Sequence, residues 1–118
     1  MFMAGEKKSY TVRLLMPEGK EAEVRVAEDE YILTRAYDQR LELPSMCLQG
    51  WCLTCAARVE GEGEWDQSHS RRYYEKDRDN NFILLCTAQP RSDLTVRTHQ
   101  RVAMRDCRIK NGLPAPRA

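Results

Sequence analysis

Four cysteines carry the residue types and spacing that could do chemistry in this chain. Three lie close together as C-x4-C-x2-C, and the fourth follows after 30 intervening residues: Cys47, Cys52, Cys55 and Cys86. This spacing is typical of a site in which four thiolates hold a [2Fe–2S] cluster. Neighbouring cysteines on one loop can reach both irons, and the distant cysteine closes the site when the fold brings it back. Because such a cluster accepts and releases one electron, the spacing points to electron transfer.

Other uses of the cysteines fit the sequence less well. Structural zinc sites usually pair two short knuckles of two ligands each, whereas here three cysteines cluster and one stands alone. An odd count of five cysteines in a chain without an export signal disfavours a disulfide framework. The fifth cysteine, Cys107, is predicted to be a partly buried thiol in a C-terminal helix. His69 and His99 are predicted not to be ligands, because four cysteines already fill the ligand count.

Length and composition predict one small soluble domain. The 118 residues are 42% hydrophobic and 31% charged, which is ordinary for a globular protein long enough to bury a modest core. No apolar run approaches the length of a membrane span, and the N-terminus lacks the pattern of a secretory signal. We therefore expect a cytoplasmic protein without membrane insertion, or a plastid stromal one if a transit peptide has been removed.

Alternating apolar residues predict a β-hairpin near the N-terminus, with strands at residues 10–15 and 22–26 around a proline–glycine turn. Acidic residues 28–30 and the apolar spacing that follows predict a helix of about ten residues, which Pro44 prevents from continuing. Further strands or apolar runs are predicted at residues 57–59, 82–85 and 94–98, with a short polar helix within residues 70–79. Together these elements indicate an α+β layer fold.

Three segments resemble the plant-type [2Fe–2S] ferredoxins of cyanobacteria and plastids. Residues 43–55 resemble their cluster loop, Asp66-Gln67-Ser68 resembles the short motif after it, and residues 82–96 resemble their last-ligand segment and final strand. The resemblance implies a β-grasp fold, in which a mixed sheet packs on one main helix beside a long cluster-binding loop. It assigns the domain to residues 9–99, between an N-terminal tail at 1–8 and a basic C-terminal extension at 100–118.

The resemblance also implies the site. One [2Fe–2S] cluster is expected, with Cys47 and Cys52 on one iron and Cys55 and Cys86 on the other. Within the loop this chain departs from the family, because Met46, Leu48, Trp51 and Leu53 stand where serine, arginine, other hydroxyl or small residues are usual. Gly50 is expected to let the backbone approach sulfur closely. Trp51 is expected either to shield the cluster or touch a partner, or to fold onto the core.

The function implied is that of a soluble, monomeric one-electron carrier that passes low-potential electrons to redox enzymes and is not itself an enzyme. Its partners would be a reductase, a photosystem or a ferredoxin-dependent enzyme. Two alternatives remain open: an iron–sulfur redox sensor or regulator, and an electron-entry subunit dedicated to one enzyme. Nucleic-acid binding is not expected, because it would need a coherent basic stripe and the net charge of +1 is close to zero.

Charge is distributed unevenly along the chain. Residues 1–96 hold 13 basic and 17 acidic side chains, whereas residues 97–118 hold six basic and one acidic side chain. Such asymmetry bears on partner choice and encounter rate. The basic extension is predicted to select an acidic partner surface or to block the usual reductase. The plainer alternative is a solvated helix that only protects an edge of the core.

Overall fold

The computed structural model describes residues 8–43 and 53–115 of the chain. Five of its strands form one mixed sheet in the order β2-β1-β7-β3-β5, and β4 and β6 form a separate two-stranded ribbon. Strands β1 and β7 pair in parallel, and the other pairs are antiparallel. This architecture confirms the predicted α+β, β-grasp fold. The elements follow in chain order as β1 (Ser9–Leu15), β2 (Glu21–Ala27), α1 (Ile32–Asp38), β3 (Ala56–Val59), β4 (Trp65–Asp66), α2 (Glu75–Asp79), β5 (Phe82–Leu84), β6 (Gln89–Pro90), β7 (Leu94–Arg97) and α3 (Arg101–Lys110).

The N-terminal hairpin forms as predicted. A single 3-10 turn at Pro17–Gly19 joins β1 to β2, and the positive φ of Gly19 (76°) explains the glycine there. Apolar side chains alternate along both strands because one face of the sheet is buried and successive side chains point to opposite faces. The inward residues, all with 0% exposure, are Val12, Leu14, Val24 and Val26.

Helix α1 is shorter than the sequence pattern predicted, at seven residues. The acidic residues expected in its first turn lie in the preceding turn instead. There the Glu30 carboxylate accepts a hydrogen bond from the Ala27 N–H at 2.8 Å. The helix buries Ile32, Leu33 and Ala36 in the hydrophobic core. None of the helices among the described residues is long and apolar enough to cross a membrane.

Helix α3 packs one face against the hydrophobic core. Met104 is fully buried in the core, and Ala103 and Cys107 are half-buried against it. The predicted C-terminal helix is therefore confirmed, and Cys107 lies half-buried on it, as expected.

A buried ion pair joins α3 to α2. The Arg108 and Asp77 side chains are 0% and 1% exposed, with Arg108 Nη2 at 2.9 Å from Asp77 Oδ2 and Nε at 3.2 Å from both carboxylate oxygens. Arg108 also donates to the carbonyl of Arg72 at 3.0 Å and lies over the ring of Tyr74. Asp77 accepts the Tyr74 N–H at 2.9 Å, which caps the start of α2. Arg108 is therefore a structural residue and contributes no charge to the surface.

Replacing Asp77 with alanine is expected to lower the free energy of unfolding by about 3–5 kcal/mol, because it leaves the buried guanidinium without a counter-charge. Asp79→Ala is the matched control, since Asp79 is exposed on the same helix, and a change within about 0.5 kcal/mol is expected. The measurement is urea unfolding followed by far-UV circular dichroism. The double variant Asp77→Ala/Arg108→Met should recover much of the loss. Equal effects of the two single variants would contradict the role given to the ion pair.

Candidate cluster-binding site

The pairing of β3 with β5 brings together two of the four cysteines predicted as ligands. Ala56 on β3 lies opposite Leu84 on β5, so Cys55 and Cys86 emerge at the same end of this antiparallel ladder. The contact continues one step beyond the strands, where the Leu85 N–H donates to the Cys55 carbonyl at 3.4 Å. Both cysteines are buried, at 4% and 5% exposure. Residues 31 positions apart in sequence thus become neighbours through strand pairing.

The turn that carries Cys86 is held by the start of helix α1. The first N–H groups of a helix have no partner within the helix. In this fold the Ile32 N–H donates to the Ala88 carbonyl at 3.1 Å, and the Leu33 N–H donates to the Leu85 carbonyl at 3.0 Å. These two carbonyls flank Cys86 on either side. The helix therefore fixes the backbone of the turn around Cys86 and, in doing so, pairs two of its own free N–H groups.

The side-chain amide of Gln67 also holds the turn around Cys86. Its side chain is 95% buried. Its Oε1 accepts hydrogen bonds from the Trp65 indole N–H at 3.0 Å and from the Leu84 N–H at 3.2 Å. Its Nε2 donates to the Leu84 carbonyl at 2.9 Å and to Thr87 Oγ1 at 3.1 Å. One amide thus ties β4 to the end of β5 and to the residue after Cys86.

A hydroxyl pair continues from Gln67 toward the sulfur of Cys86. Ser70 Oγ lies 2.6 Å from Thr87 Oγ1 and also accepts from Gln67 Nε2 at 2.9 Å. The Cys86 thiol lies 3.9 Å from Thr87 Oγ1, to which it donates. A thiol must lose its proton to bind metal, and a thiolate can only accept. The Thr87 hydroxyl is then the group placed to donate to the Cys86 sulfur.

Asp66, which precedes Gln67, is held by its own neighbours. Its Oδ1 accepts from the Ser68 hydroxyl at 2.6 Å and from the Ser68 N–H at 2.7 Å, and Arg91 lies 3.2 Å from Oδ2. The hydrogen bonds from Ser68 lower the pKa of Asp66 below its usual value, with a smaller contribution from Arg91. The carboxylate is therefore ionised at neutral pH and orders the turn that presents Gln67.

Near the cysteines, Leu53 adopts a backbone conformation unusual for its type. Its φ is +68° and its side chain is only 1% exposed, so it enters the core just before Thr54 and Cys55. Residues held at positive φ without being glycine cluster at functional sites, because the surrounding structure must compensate the strain. The leucine thus anchors the end of the loop that leads to Cys55.

The predicted site residues are only partly within the described chain. Cys47 and Cys52, and the loop residues Gly50 and Trp51, lie outside the described residues. Within residues 8–43 and 53–115, no group of three or more histidine, cysteine or acidic side chains could hold a metal ion. The chemistry of Cys55 and Cys86 fits half of the predicted four-thiolate site, because soft sulfur donors suit iron–sulfur ligation and both residues are buried.

The histidines make ordinary contacts. His69 Nδ1 hydrogen bonds with the Tyr31 hydroxyl at 2.7 Å, and His99 Nδ1 hydrogen bonds with the Thr98 hydroxyl at 2.7 Å. Tyr73, whose pKa is raised by burial, donates from its hydroxyl to the Phe82 carbonyl. This tyrosine is a packing residue whose hydroxyl is hydrogen bonded to the backbone.

Sequence reasoning missed the polar brace around Cys86. Gln67 was recognisable as the middle of the Asp66-Gln67-Ser68 motif, but its partners Leu84 and Thr87 lie 17 and 20 positions away in sequence. Thr87 had only its position beside Cys86 as a signal. The α1 donors had no signal at all, because a helix start that contacts a cysteine turn depends on tertiary packing.

Comparison with known proteins matches residues 15–91 to the family described as "2Fe-2S iron-sulfur cluster binding domain". The chain is 42% identical over 93 residues to the vegetative ferredoxin of Trichormus variabilis, which covers 78% of this chain and 93% of that protein. It is 35% identical to the chloroplastic ferredoxin-6 of Zea mays, over 77% of this chain and 58% of that protein. Among solved structures, pectocin M2 superposes with a TM-score of 0.70 at 35% identity, over 79% of this chain and a third of that one (33%).

Replacing Gln67 with alanine is expected to lower the free energy of unfolding by about 2–4 kcal/mol, because it leaves the buried Trp65 and Leu84 N–H groups without acceptors. Gln39→Ala is the control, since Gln39 is an exposed glutamine at the end of α1. Urea unfolding of the two variants gives the comparison. A loss below about 0.5 kcal/mol in Gln67→Ala, the range of an ordinary surface substitution, would show that the brace carries little stability.

Proposed function

The chain belongs to the plant-type 2Fe-2S ferredoxin family, and from that membership we propose that Cys47, Cys52, Cys55 and Cys86 are the four ligands of its cluster. The protein is a ferredoxin: an electron carrier with a 2Fe-2S cluster, in a family whose members transfer electrons and are not enzymes. When bound, the cluster takes up one electron and releases it again. The protein's own residues hold the sulfurs in place and set their surroundings.

The single observation that supports the ligand set is the meeting of Cys55 and Cys86 at the end of the β3–β5 ladder. Their burial keeps water away from both sulfurs, and solvent access around the ligands is one of the factors that set the redox potential of a metal centre. By family analogy these two cysteines would serve one iron, and Cys47 and Cys52 the other. The loop between residues 43 and 53 would supply the second pair.

Thr87 would influence the reduction potential of the cluster through a hydrogen bond to the Cys86 sulfur. In the ligated protein its hydroxyl would donate to the Cys86 sulfur, while Ser70 and the Gln67 amide donate to the Thr87 oxygen. A hydrogen bond to a ligand sulfur stabilises the more negative, reduced state. The side chain would therefore raise the reduction potential and offset part of the hydroxyl loss at Met46 and Trp51 in the loop.

We infer the redox partners, the cellular location and the domain boundaries of this protein from its family. Ferredoxins pass electrons to redox proteins, and we propose that this one exchanges low-potential electrons with a reductase, a photosystem or a ferredoxin-dependent enzyme, as a monomer. Residues 9–99 would form the ferredoxin-type domain, with residues 1–8 as a tail and residues 100–118 as an extension packed on it through α3. The cytoplasm or the plastid stroma would be its site of action.

The cluster assignment predicts two irons and two acid-labile sulfides per chain, with visible absorption and a rhombic electron paramagnetic resonance signal after one-electron reduction. Cys86→Ser is expected to weaken or abolish the cluster, because a hydroxyl is a poorer ligand for iron than a thiolate. Cys107→Ser is the matched control and should keep the iron content and the spectrum of the original protein. Loss of the visible bands in Cys107→Ser would overturn the ligand assignment.

The midpoint potential is expected on the order of −400 mV, the range of plant-type centres. Thr87→Val, which keeps shape but removes the hydroxyl, should lower it by roughly 50 mV, since a one-electron couple shifts about 59 mV per ~1.4 kcal/mol, about the size of one hydrogen bond. Thr95→Val on β7 is the control. Protein-film voltammetry measures all three proteins. An unchanged potential in Thr87→Val would exclude the hydroxyl as a donor to sulfur.

A further inference from the structure

The first turn of α3 lies beside the loop that carries Cys55. The Gln100 N–H, just before the helix, donates to the carbonyl of Ala56 at 2.9 Å, and Ala56 directly follows Cys55. His99, Arg101 and Val102 line a cleft of about 210 Å³ together with Thr54, the residue before Cys55. A protein that contacts this turn therefore sits next to a ligand position.

The turn has the composition of an interface. Val102 is 64% exposed, an apolar side chain beside the half-buried Arg101. Within the described ranges, 8–43 and 53–115, no side chain pairs with the guanidinium of Arg101. Protein interfaces combine an apolar centre with a polar rim and are enriched in arginine. Contacts within the described residues therefore do not explain Arg101.

The charge of α3 favours one kind of partner. With Arg108 neutralised inside the protein by Asp77, the helix presents Arg101, Arg105 and Lys110 against the single carboxylate of Asp106. A positive patch accelerates encounter with a negative one and repels like-charged surfaces. The helix is also fixed through buried Met104 and Arg108, so little conformational entropy is lost when a partner binds.

We propose that the start of α3, with Arg101 and Val102, the preceding His99 and the adjacent Thr54, is the docking surface for an acidic redox protein and the route by which the electron leaves. The proposal rests on the proposed function. The sequence alone predicts partner selection by the whole basic extension. The proposal assigns it to the N-terminal end of α3, which lies beside Thr54 and Cys55. In the transfer step the reduced cluster loses one electron to the partner's oxidised centre, and no proton or atom moves.

The test uses two small one-electron oxidants of opposite charge with the dithionite-reduced holoprotein in stopped flow: tris(oxalato)cobaltate(III), an anion, and hexaamminecobalt(III), a cation. Each is reduced to Co(II) by one electron. Arg101→Glu is compared with Lys110→Glu, which changes the net charge equally but lies nine residues along the helix, about 13 Å away. Arg101→Gln serves as a second variant in case Arg101→Glu fails to retain its cluster.

At low salt, Arg101→Glu is expected to slow the anionic oxidant roughly three- to tenfold and to quicken the cationic one. Lys110→Glu should change either rate by less than about twofold, and the difference should shrink as salt is added. Equal effects of the two charge reversals would overturn the proposal, because the electron would then leave elsewhere. Failure of the proposed function would show separately, as a parent protein without iron, sulfide or visible bands.

A separate rate measurement tests the apolar part of the docking surface, Val102. With cytochrome b5, an acidic protein oxidant, Val102→Ser is expected to lower the second-order rate several-fold while leaving both cobalt rates unchanged. Ile109→Ser is the matched control, because Ile109 is 54% exposed on the same helix, seven residues further from the ligand loop. Equal rates for the two serine variants with cytochrome b5 would remove Val102 from the docking surface.

Discussion

The antiparallel pairing of β3 with β5 is the constraint on which the rest of the structure depends. It carries Cys55 and Cys86 to one end of a ladder whose register is set at Ala56 and Leu84. The strands are short, but β3 also pairs with β7, so it lies within the sheet rather than at its edge. A slip of one residue would turn every side chain to the opposite face. Burial of the strands therefore also fixes the position of the two cysteines.

Once the chain leaves the ladder, its backbone polar groups need new partners. The N–H groups of Ile32 and Leu33 at the start of α1 and the amide of Gln67 supply them for the turn around Cys86. Buried polar groups are costly when unpaired and rigid when fully paired. The same contacts that satisfy the backbone therefore hold the turn around Cys86 in one geometry. A rigid turn of this kind would suit the ligand role proposed for Cys86, because the centre of a carrier must change charge without a large rearrangement.

The fold buries one basic side chain of the C-terminal segment and leaves others wholly or partly exposed to solvent. Arg108 is buried against Asp77 and attaches α3 to α2, whereas Arg101, Arg105 and Lys110 face outward or lie partly exposed. A buried pair contributes little net stability over an apolar pair, but breaking it is costly. The Asp77–Arg108 pair helps to fix the position of α3, whose first turn lies beside Thr54. The outward charges then act from a defined place rather than from a mobile tail.

The sequence by itself determined the cluster class and much of the fold. Ligand spacing and the alternation of Val12 with Leu14 and of Val24 with Val26 are local patterns, imposed by metal geometry and by burial of one sheet face. Only the tertiary structure decided that Glu30 serves the turn before α1, that Gln67 braces the Cys86 turn, and that Arg108 is buried while Arg101 is not. The physical reason is that the environment of a polar side chain depends on partners distant in sequence. Asp77 and Arg108 are 31 positions apart, and neither carries a local mark that distinguishes it from an exposed neighbour of the same type.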